Sequence, residues 1–263
     1  TRLEKSWDTK MIQMLSQAQE HSGIEKIILS QYPSPYIPQG KNRDMYPKGD
    51  SILWDRPSWT GVKNNWHGAW SGKRMELTDK TRPNESHSIL AGYIFSLGSF
   101  VEEIPYDERI SFMGEELCIA LRAYTRGWKI YSPHETLVWH FYTRKDRPKI
   151  WNQVDDAVRD AKWMDLEMKS RKVQENILRG MESGTYGIKD HVKYLEYQSL
   201  IGIDFNYFYD NQLNNKINKS ILIEEITVSG MVKLSNWCIS KDHEGCETKG
   251  CECNCHNKKK RRR

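Results

Sequence analysis

The sequence predicts an α/β fold, and three observations support this prediction. Residues 8–22 carry apolar side chains at helical spacing, namely Met11, Met14, Leu15 and Ala18. The apolar run at 25–30 that follows is typical of a short buried strand. Residues 115–126 form a second amphipathic pattern, and strand-like runs follow it at 128–131 and 136–142. Helices that alternate with short strands are typical of layered α/β domains.

The elements are expected in the following order. Asp8 is predicted to cap the first helix, and Gly23 to end it. Residues 31–87 hold six prolines and four tryptophans without clear periodicity, so this region is predicted to be irregular. It is interpreted either as an acceptor-binding flap or as a loop held by its own tryptophans. The apolar run at 87–96 is predicted to be a strand with a small Ala-Gly pair at its centre.

The chain divides into four predicted segments. Residues 1–149 are assigned to the α/β domain, and residues 150–210 to a helical part of the same domain. Helical spacing in the second segment is carried by Trp151, Val154, Val158, Ala161, Met164 and Met168. Residues 211–237 are predicted to be a linker or extension with one strand-like run. Residues 238–263 form a Cys-rich, basic tail.

The charge of the chain is concentrated at one end. The net charge is +5, but residues 258–263 are all Lys or Arg, and removing those six charges would leave −1. Nucleic-acid binding is therefore not expected except through the tail, because a folded binder usually spreads positive charge over one face. No apolar run approaches the ~18 residues that cross a bilayer, so no membrane span is predicted.

Cysteine usage also differs between body and tail. Of six cysteines only Cys118 lies in the body, which favours a reducing compartment and a cytoplasmic location. The tail holds the other thiols beside a histidine: Cys238, Cys246, Cys251, Cys253, Cys255 and His256. Their spacing is not the paired C-x₂-C of ordinary zinc modules. Chelation of a soft metal and a tail without a metal site both remain open.

Two carboxylates begin the second predicted helix. Glu115 and Glu116 lie in its first turn, where the helix dipole stabilises negative charge. A purely structural role is therefore open for both. Adjacent helical residues point about 100° apart, so the two side chains are not expected to face one ligand in the same way.

A histidine interrupts the apolar run at 136–142. His140 is either a satisfied core residue or, as a neutral imidazole at a strand end, a ligand for Mn²⁺ or Mg²⁺. Tyr142 and Arg144 follow it. The planar guanidinium of Arg144 matches the oxygens of a diphosphate, although an exposed charge in a basic run is the alternative.

Residues 88–144 contain "PYD", "GEE", "TRGW" followed by "YSP", and an H-x-Y-x-R ending. In this order the motifs resemble the N-acetylglucosamine (GlcNAc) transferases of glycosyltransferase family 60. Residues 186–205 resemble the end of the same domain. The opening TRLEKSWDTKMIQML resembles the stretch after the family's metal-binding Asp-x-His motif. The resemblance extends over about residues 1–210.

The resemblance implies a GT-A fold that lacks its N-terminal strands here, since the Asp-x-His motif would precede Thr1. It implies an enzyme that moves GlcNAc from UDP-GlcNAc, with Mn²⁺ or Mg²⁺ as cofactor and with retention of configuration. The acceptor would be a protein, with hydroxyproline as one option, or a glycan. The chain as given would then be inactive or nearly so. The alternative from another class is an inactive GT-A-like scaffold that binds a partner or nucleic acid through its basic tail.

The resemblance also implies roles for single residues. Glu115 would contact the sugar or act in catalysis, and Glu116 is the second candidate for this role. Residues Ala91 and Gly92 would line the donor-sugar pocket. His140 would be a metal ligand, and the diphosphate would be bound by Arg144 and Tyr142.

Overall fold

The structure, a computed structural model, describes residues 1–36, 53–59, 70–111, 114–142 and 156–213. For residues 53–59, 70–75, 156–164 and 211–213 the description covers the backbone only. The helices are α1 Trp7–Ser22, α2 Ser99–Glu103, α3 Glu115–Thr125, α4 Asp156–Leu178, α5 His191–Ile201 and α6 Phe205–Leu213. The strands are β1 Arg2–Leu3, β2 Ile27–Ser30, β3 Ser34–Pro35, β4 Leu53–Trp59, β5 Trp70–Met75, β6 Asn84–Ser86, β7 Ile94–Ser96, β8 Lys129–Ser132 and β9 Val138–His140. This mixture confirms the predicted α/β class.

A four-stranded sheet in the order β6-β8-β2-β7 forms the centre of the fold. Strand β2 is parallel to β8 and antiparallel to β7. Successive side chains of a strand point to opposite faces. Ile27 and Leu29 accordingly pack with α1, whereas Ile28 packs in the core that contains α3 and α5. The apolar run of β2 is buried on both faces because helices cover both sides of the sheet.

A smaller three-stranded sheet lies after the carboxyl end of β2. Its order is β1-β9-β3, and β3 runs parallel to β9 with Pro35 opposite His140. The chain leaves β2 at Ser30 and enters β3 at Ser34, so only residues 31–33 separate the two sheets. These three residues connect the α3 side of the fold with the strand that carries His140.

The prediction of an irregular region at 31–87 is wrong for part of its length. Strands β3 to β6 lie within it, and β4 pairs antiparallel with β5 from Leu53↔Met75 to Trp59↔Trp70. The register shifts between Asp55 and Pro57, and a bulge of this kind tolerates a proline inside a strand. The acceptor-flap interpretation concerns side chains outside the described residues and stays a prediction.

The strand predicted at 87–96 is also wrong in its first half. Only Ile94–Ser96 is a strand, and Ala91 and Gly92 form a turn before it. Their neighbouring backbone groups bond to side chains: the Leu90 N–H donates to Ser30 Oγ at 2.8 Å, and the Ala91 N–H donates to Glu116 at 2.6 Å. Apolar composition predicted a strand, but these bonds replace a strand partner.

The ends of α1 differ in how well the sequence predicted them. The helix ends before Gly23 as predicted, with the Gly23 N–H donating to the Gln19 carbonyl at 2.9 Å. At the other end Ser6, with φ of 56°, occupies the cap position instead of Asp8. Asp8 lies in the first turn, where its charge is favoured by the helix dipole. Helix α3 begins at Glu115, as the sequence predicted.

Helix α4 confirms a long helix but corrects its predicted face. Met168 is 53% exposed, and the buried side carries mostly polar residues: Glu167, Ser170, Gln174 and Ile177. Hydrophobic periodicity cannot detect a buried polar stripe, because it counts apolar side chains only. The side chains of the other predicted positions in this helix, 151, 154, 158, 161 and 164, lie outside the description.

The C-terminal part contains α5 and α6, which agrees with the prediction that residues 150–210 form a helical part of the domain, and α6 extends to Leu213. The predicted linker therefore begins with the last residues of α6. The rest of the linker and the Cys-rich tail lie outside the described residues. Within the described ranges, no helix carries an apolar stretch long enough to cross a bilayer.

Candidate active site

Glu116 connects three separate elements. Its carboxylate belongs to the first turn of α3 and accepts the backbone N–H of Ala91 at 2.6 Å. The hydroxyl of Tyr32, just beyond β2, lies 3.1 Å from each of the two carboxylate oxygens. The start of α3, the Ala91–Gly92 turn and the segment after β2 are thus held at one carboxylate.

The pKa shifts of Glu116 and Tyr32 agree with the hydrogen bond between them. Burial raises the pKa of Glu116, while the hydrogen bonds from Ala91 and Tyr32 lower it in part. Burial, followed by the charge of Glu116, raises the pKa of Tyr32 well above its usual range. The Tyr32 hydroxyl therefore keeps its proton and remains a hydrogen-bond donor to Glu116.

Glu115 is adjacent to Glu116 but takes no part in the hydrogen bonds with Ala91 and Tyr32. Burial raises the pKa of Glu115 from 4.5 to about 7, and the neighbouring charges of Glu116 and Glu167 add to this rise. Its own backbone N–H acts in the opposite direction. No described side chain donates a hydrogen bond to Glu115. The Glu115 carboxyl group therefore changes its protonation state near neutral pH.

The raised pKa predicts a pH-dependent stability that Glu115→Gln should remove. Stabilisation from the protonated carboxyl is complete below pH 4.5 and is lost as the pH rises through about 7, because ionisation is disfavoured in the folded state. We expect the difference in unfolding free energy between variant and wild type to change by about 2 kcal/mol from pH ~5 to pH ~8. Urea unfolding at both pH values measures it, and parallel pH profiles would contradict the assignment.

Helix α4 faces the start of α3 with its polar stripe. Gly114 precedes α3 with φ of 88°, and a Cβ atom there would overlap the side chain of Gln174. The Gln174 amide donates to Ser170 Oγ at 3.0 Å. Glu167 accepts two hydrogen bonds from Arg171 on one oxygen, at 2.9 and 3.0 Å, and its other oxygen is buried without a partner among the described residues. The neighbourhood of Glu115 is therefore polar as well as buried.

The Ala91–Gly92 turn is packed tightly on one side. Both residues are exposed, yet a Cβ atom on Gly92 would overlap the ring of Pro33 and lie 2.9 Å from the Gln31 carbonyl oxygen. Only a residue without a side chain permits this approach of two backbones. The turn is fixed by Glu116 at Ala91 and by the segment after β2 at Gly92.

His140 and Tyr142 reach the same segment from the small sheet. The Tyr142 hydroxyl donates to the Pro33 carbonyl at 2.8 Å, and the Tyr36 N–H donates to the His140 carbonyl at 3.2 Å. The rings of His140 and Tyr142 meet edge to face with centroids 4.8 Å apart. Residues 32–36 therefore form a continuous series of contacts from Glu116 to His140.

The structure thus brings most of the sequence-predicted site residues into one region. Ala91 contacts Glu116 directly, while Tyr142 and His140 join them through Pro33 and Tyr32. Arg144 lies outside the described residues. Sequence reasoning missed Tyr32 and Glu167. The signal for Tyr32 was its place after a parallel strand, since ligands bind outside the carboxyl ends of such strands. For Glu167 there was no signal, because a glutamate in a helix usually faces solvent.

The predicted metal site lacks a full ligand set in the described part of the chain. No group of three or more His, Cys, Asp or Glu side chains is arranged there to hold a metal ion. His140 is the single predicted ligand, and its Nδ1 lies 3.3 Å from the hydroxyl of Thr1. These residues do not by themselves fit a bound Mn²⁺ or Mg²⁺, so no chemical step is derived through one.

Comparison with known proteins places the chain in a family. The family model described as Glycosyltransferase (GlcNAc) matches residues 1–209. Because this match spans most of the 263 residues, the chain belongs to this glycosyltransferase family. The predicted class, an enzyme of sugar transfer that acts on a sugar donor and an acceptor, is confirmed at this level. A search among curated proteins found no match.

Proposed function

We propose that the protein transfers GlcNAc from UDP-GlcNAc to a protein or glycan acceptor through a GT-A-type site, with retention of configuration. The observation that carries this proposal is the arrangement at the start of α3. There one glutamate, Glu116, is held by Ala91 and Tyr32, and the adjacent Glu115 is left available. A cytoplasmic location, based on a body with a single thiol, is part of the same proposal.

The two glutamates have different tasks in this proposal. Glu116 holds the Ala91–Gly92 turn, against which the donor sugar lies. Glu115 accepts a hydrogen bond from a sugar hydroxyl and, when ionised, stabilises the positive charge that grows at the anomeric carbon. The negative charge of the departing diphosphate requires cationic groups on the opposite side. Arg144 is proposed for this task, with Tyr142 as a neutral hydrogen-bonding neighbour.

The proposal includes a divalent metal ion, for which His140 is the one ligand named among the described residues. His140 would supply one ligand to Mn²⁺ or Mg²⁺; because the described residues do not complete the site, no step of the transfer is assigned to the ion. The location of His140 at the end of β9, with its ring against that of Tyr142, supports a diphosphate subsite beside these two residues.

The experiment uses the full-length natural protein. Binding of UDP-GlcNAc is measured by titration calorimetry with and without Mn²⁺, and UDP-glucose and UDP-GalNAc serve as competing donors. Release of UDP and transfer of labelled GlcNAc to candidate polypeptide acceptors are then followed. We expect UDP-GlcNAc to bind at least tenfold more tightly than the other donors, a difference of about 1.4 kcal/mol.

Two other outcomes would contradict the proposal, one for the choice of donor and one for sugar transfer itself. Equal binding of all three donors would overturn the choice of GlcNAc. Absence of sugar-nucleotide binding, together with salt-sensitive nucleic-acid binding that is lost on deleting residues 258–263, would support the scaffold alternative.

A further inference from the structure

Tyr32 occupies a position that the proposed roles do not yet explain. It is partly buried, directly after β2 and Gln31, and its hydroxyl is equally close to both oxygens of Glu116 at 3.1 Å. A tyrosine hydroxyl has one proton, so it donates to one oxygen at a time. The equal distances keep the hydroxyl within reach of whichever oxygen Ala91 does not occupy.

One hydrogen bond from a backbone N–H would not fix the orientation of the Glu116 carboxylate. The Ala91 N–H binds Oε1 at 2.6 Å, and this bond alone permits the carboxylate to rotate about the N–H···O direction. The Tyr32 hydroxyl supplies a second fixed point from a different element. Two donors from two elements define the plane of the carboxylate and, through it, the location of the Ala91 backbone.

The backbone that carries Tyr32 is itself held in place. Pro33, the next residue, would collide with any Cβ atom on Gly92, and its carbonyl accepts the Tyr142 hydroxyl at 2.8 Å. Tyr32 thus lies between the Gly92 contact and the Glu116 contact. Pro33 packs against the turn at Gly92, and Tyr32 holds the turn at Ala91 through its hydrogen bond to Glu116.

We propose that Tyr32 is a positioning residue for sugar transfer, which acts through Glu116 to fix the Ala91–Gly92 turn as one wall of the donor-sugar pocket. This inference rests on the proposed function. Tyr32 touches Glu116 rather than the reacting atoms, so its removal should change the geometry and the titration of Glu116. The charged or titratable groups around this contact are Glu115 on α3 and, beside Tyr32, Tyr142 after β9.

The test compares Tyr32→Phe with Tyr194→Phe in the full-length natural protein. Tyr194 is a buried tyrosine whose hydroxyl donates to the Leu178 carbonyl at 2.9 Å, so its variant controls for the loss of a buried hydroxyl. We expect Tyr32→Phe to lower the turnover of UDP-GlcNAc about tenfold, as for loss of one hydrogen bond to a charged group. Tyr194→Phe should affect stability but not turnover.

A second readout does not depend on turnover. The Glu116 carboxyl is titrated by ¹³C NMR, with the Ala91 amide shift as reporter of the hydrogen bond between them. The Tyr32 hydrogen bond lowers the pKa of Glu116, so Tyr32→Phe should move the titration midpoint to higher pH, whereas Tyr194→Phe should leave it unchanged. Equal turnover in the two variants, or equal midpoints, would overturn the inference.

Different results would overturn the proposed function and the role of Tyr32. If the wild type neither binds nor transfers GlcNAc, the proposed function fails together with any role of Tyr32 in sugar transfer. The NMR midpoint then decides separately whether Tyr32 holds Glu116. If the wild type is active and only the NMR midpoint is unchanged, Tyr32 does not act through Glu116, and the inference fails while the proposed function stands.

Discussion

Glu115→Gln should lower the turnover number of the full-length natural protein by about 100-fold, while the dissociation constant of UDP-GlcNAc changes less than about threefold. The glutamine has nearly the shape of glutamate and can still hydrogen-bond a sugar hydroxyl, so ground-state binding is retained. It cannot carry the negative charge that stabilises a positive anomeric centre. Steady-state kinetics and titration calorimetry on the same preparation separate the two effects.

The matched control for this variant is Glu102→Gln. Glu102 is also a glutamate in the first turn of a helix, α2, but it is exposed and takes no part in the site. Glu102→Gln should change turnover by less than twofold, which corresponds to about 0.4 kcal/mol of activation free energy. If Glu115→Gln behaves like Glu102→Gln, then Glu115 is only a favourable charge at a helix N-terminus, and its catalytic role is refuted.

The pH profile of turnover gives an independent check on Glu115. Because burial raises the pKa of Glu115 to about 7, the ionised form becomes dominant only above neutral pH. Turnover should therefore rise through pH ~7 and then level off, since the carboxylate is the active form. In Glu115→Gln this rise should disappear along with most of the activity.

How far the sequence predicts this molecule depends on the kind of signal each element carries. Strand β2 was predictable because its apolar residues form a short continuous run, and helix α1 was predictable because apolar residues such as Met14 repeat with the helical period. Helix α3 was predictable from the same pattern and from Glu115 and Glu116 at its start. These local signals suffice wherever the hydrophobic core decides the conformation.

The parts that were not predictable are decided by polar contacts between distant residues. Ala91 lies in a turn because Glu116, 25 residues later, accepts its N–H. Tyr32 meets Glu116 across 84 residues, and no spacing rule connects such positions. Helix α4 buries Glu167 and Gln174 against the start of α3, whereas its apolar Met168 is exposed. Composition alone would predict that Met168 is buried and that the two polar residues are exposed. Burial of a polar residue depends on partners that only the tertiary structure brings together.

The same long-range packing makes Gly92 the most restrictive position in the site. Gly92→Ala should reduce UDP-GlcNAc binding at least tenfold and destabilise the fold by about 1–3 kcal/mol. The new methyl group would overlap the Pro33 ring and would also approach the Gln31 carbonyl oxygen and Tyr32 Cα, at 2.9 and 3.1 Å. A proline ring and backbone atoms cannot rotate away, so the turn and the segment after β2 must separate.

Gly98→Ala is the control that isolates this packing effect from the general cost of replacing a glycine. Gly98 has φ of −58°, and a Cβ atom there meets nothing within 4 Å. Its replacement by alanine should change stability by less than about 0.5 kcal/mol and leave donor binding intact. Separation of the turn from Pro33 should also weaken the Tyr32–Glu116 contact, because Tyr32 precedes Pro33 directly. Gly92→Ala should therefore raise the titration midpoint of Glu116 as Tyr32→Phe does. An unchanged midpoint, with donor binding lost, would mean that the turn contacts the sugar without any coupling to Glu116.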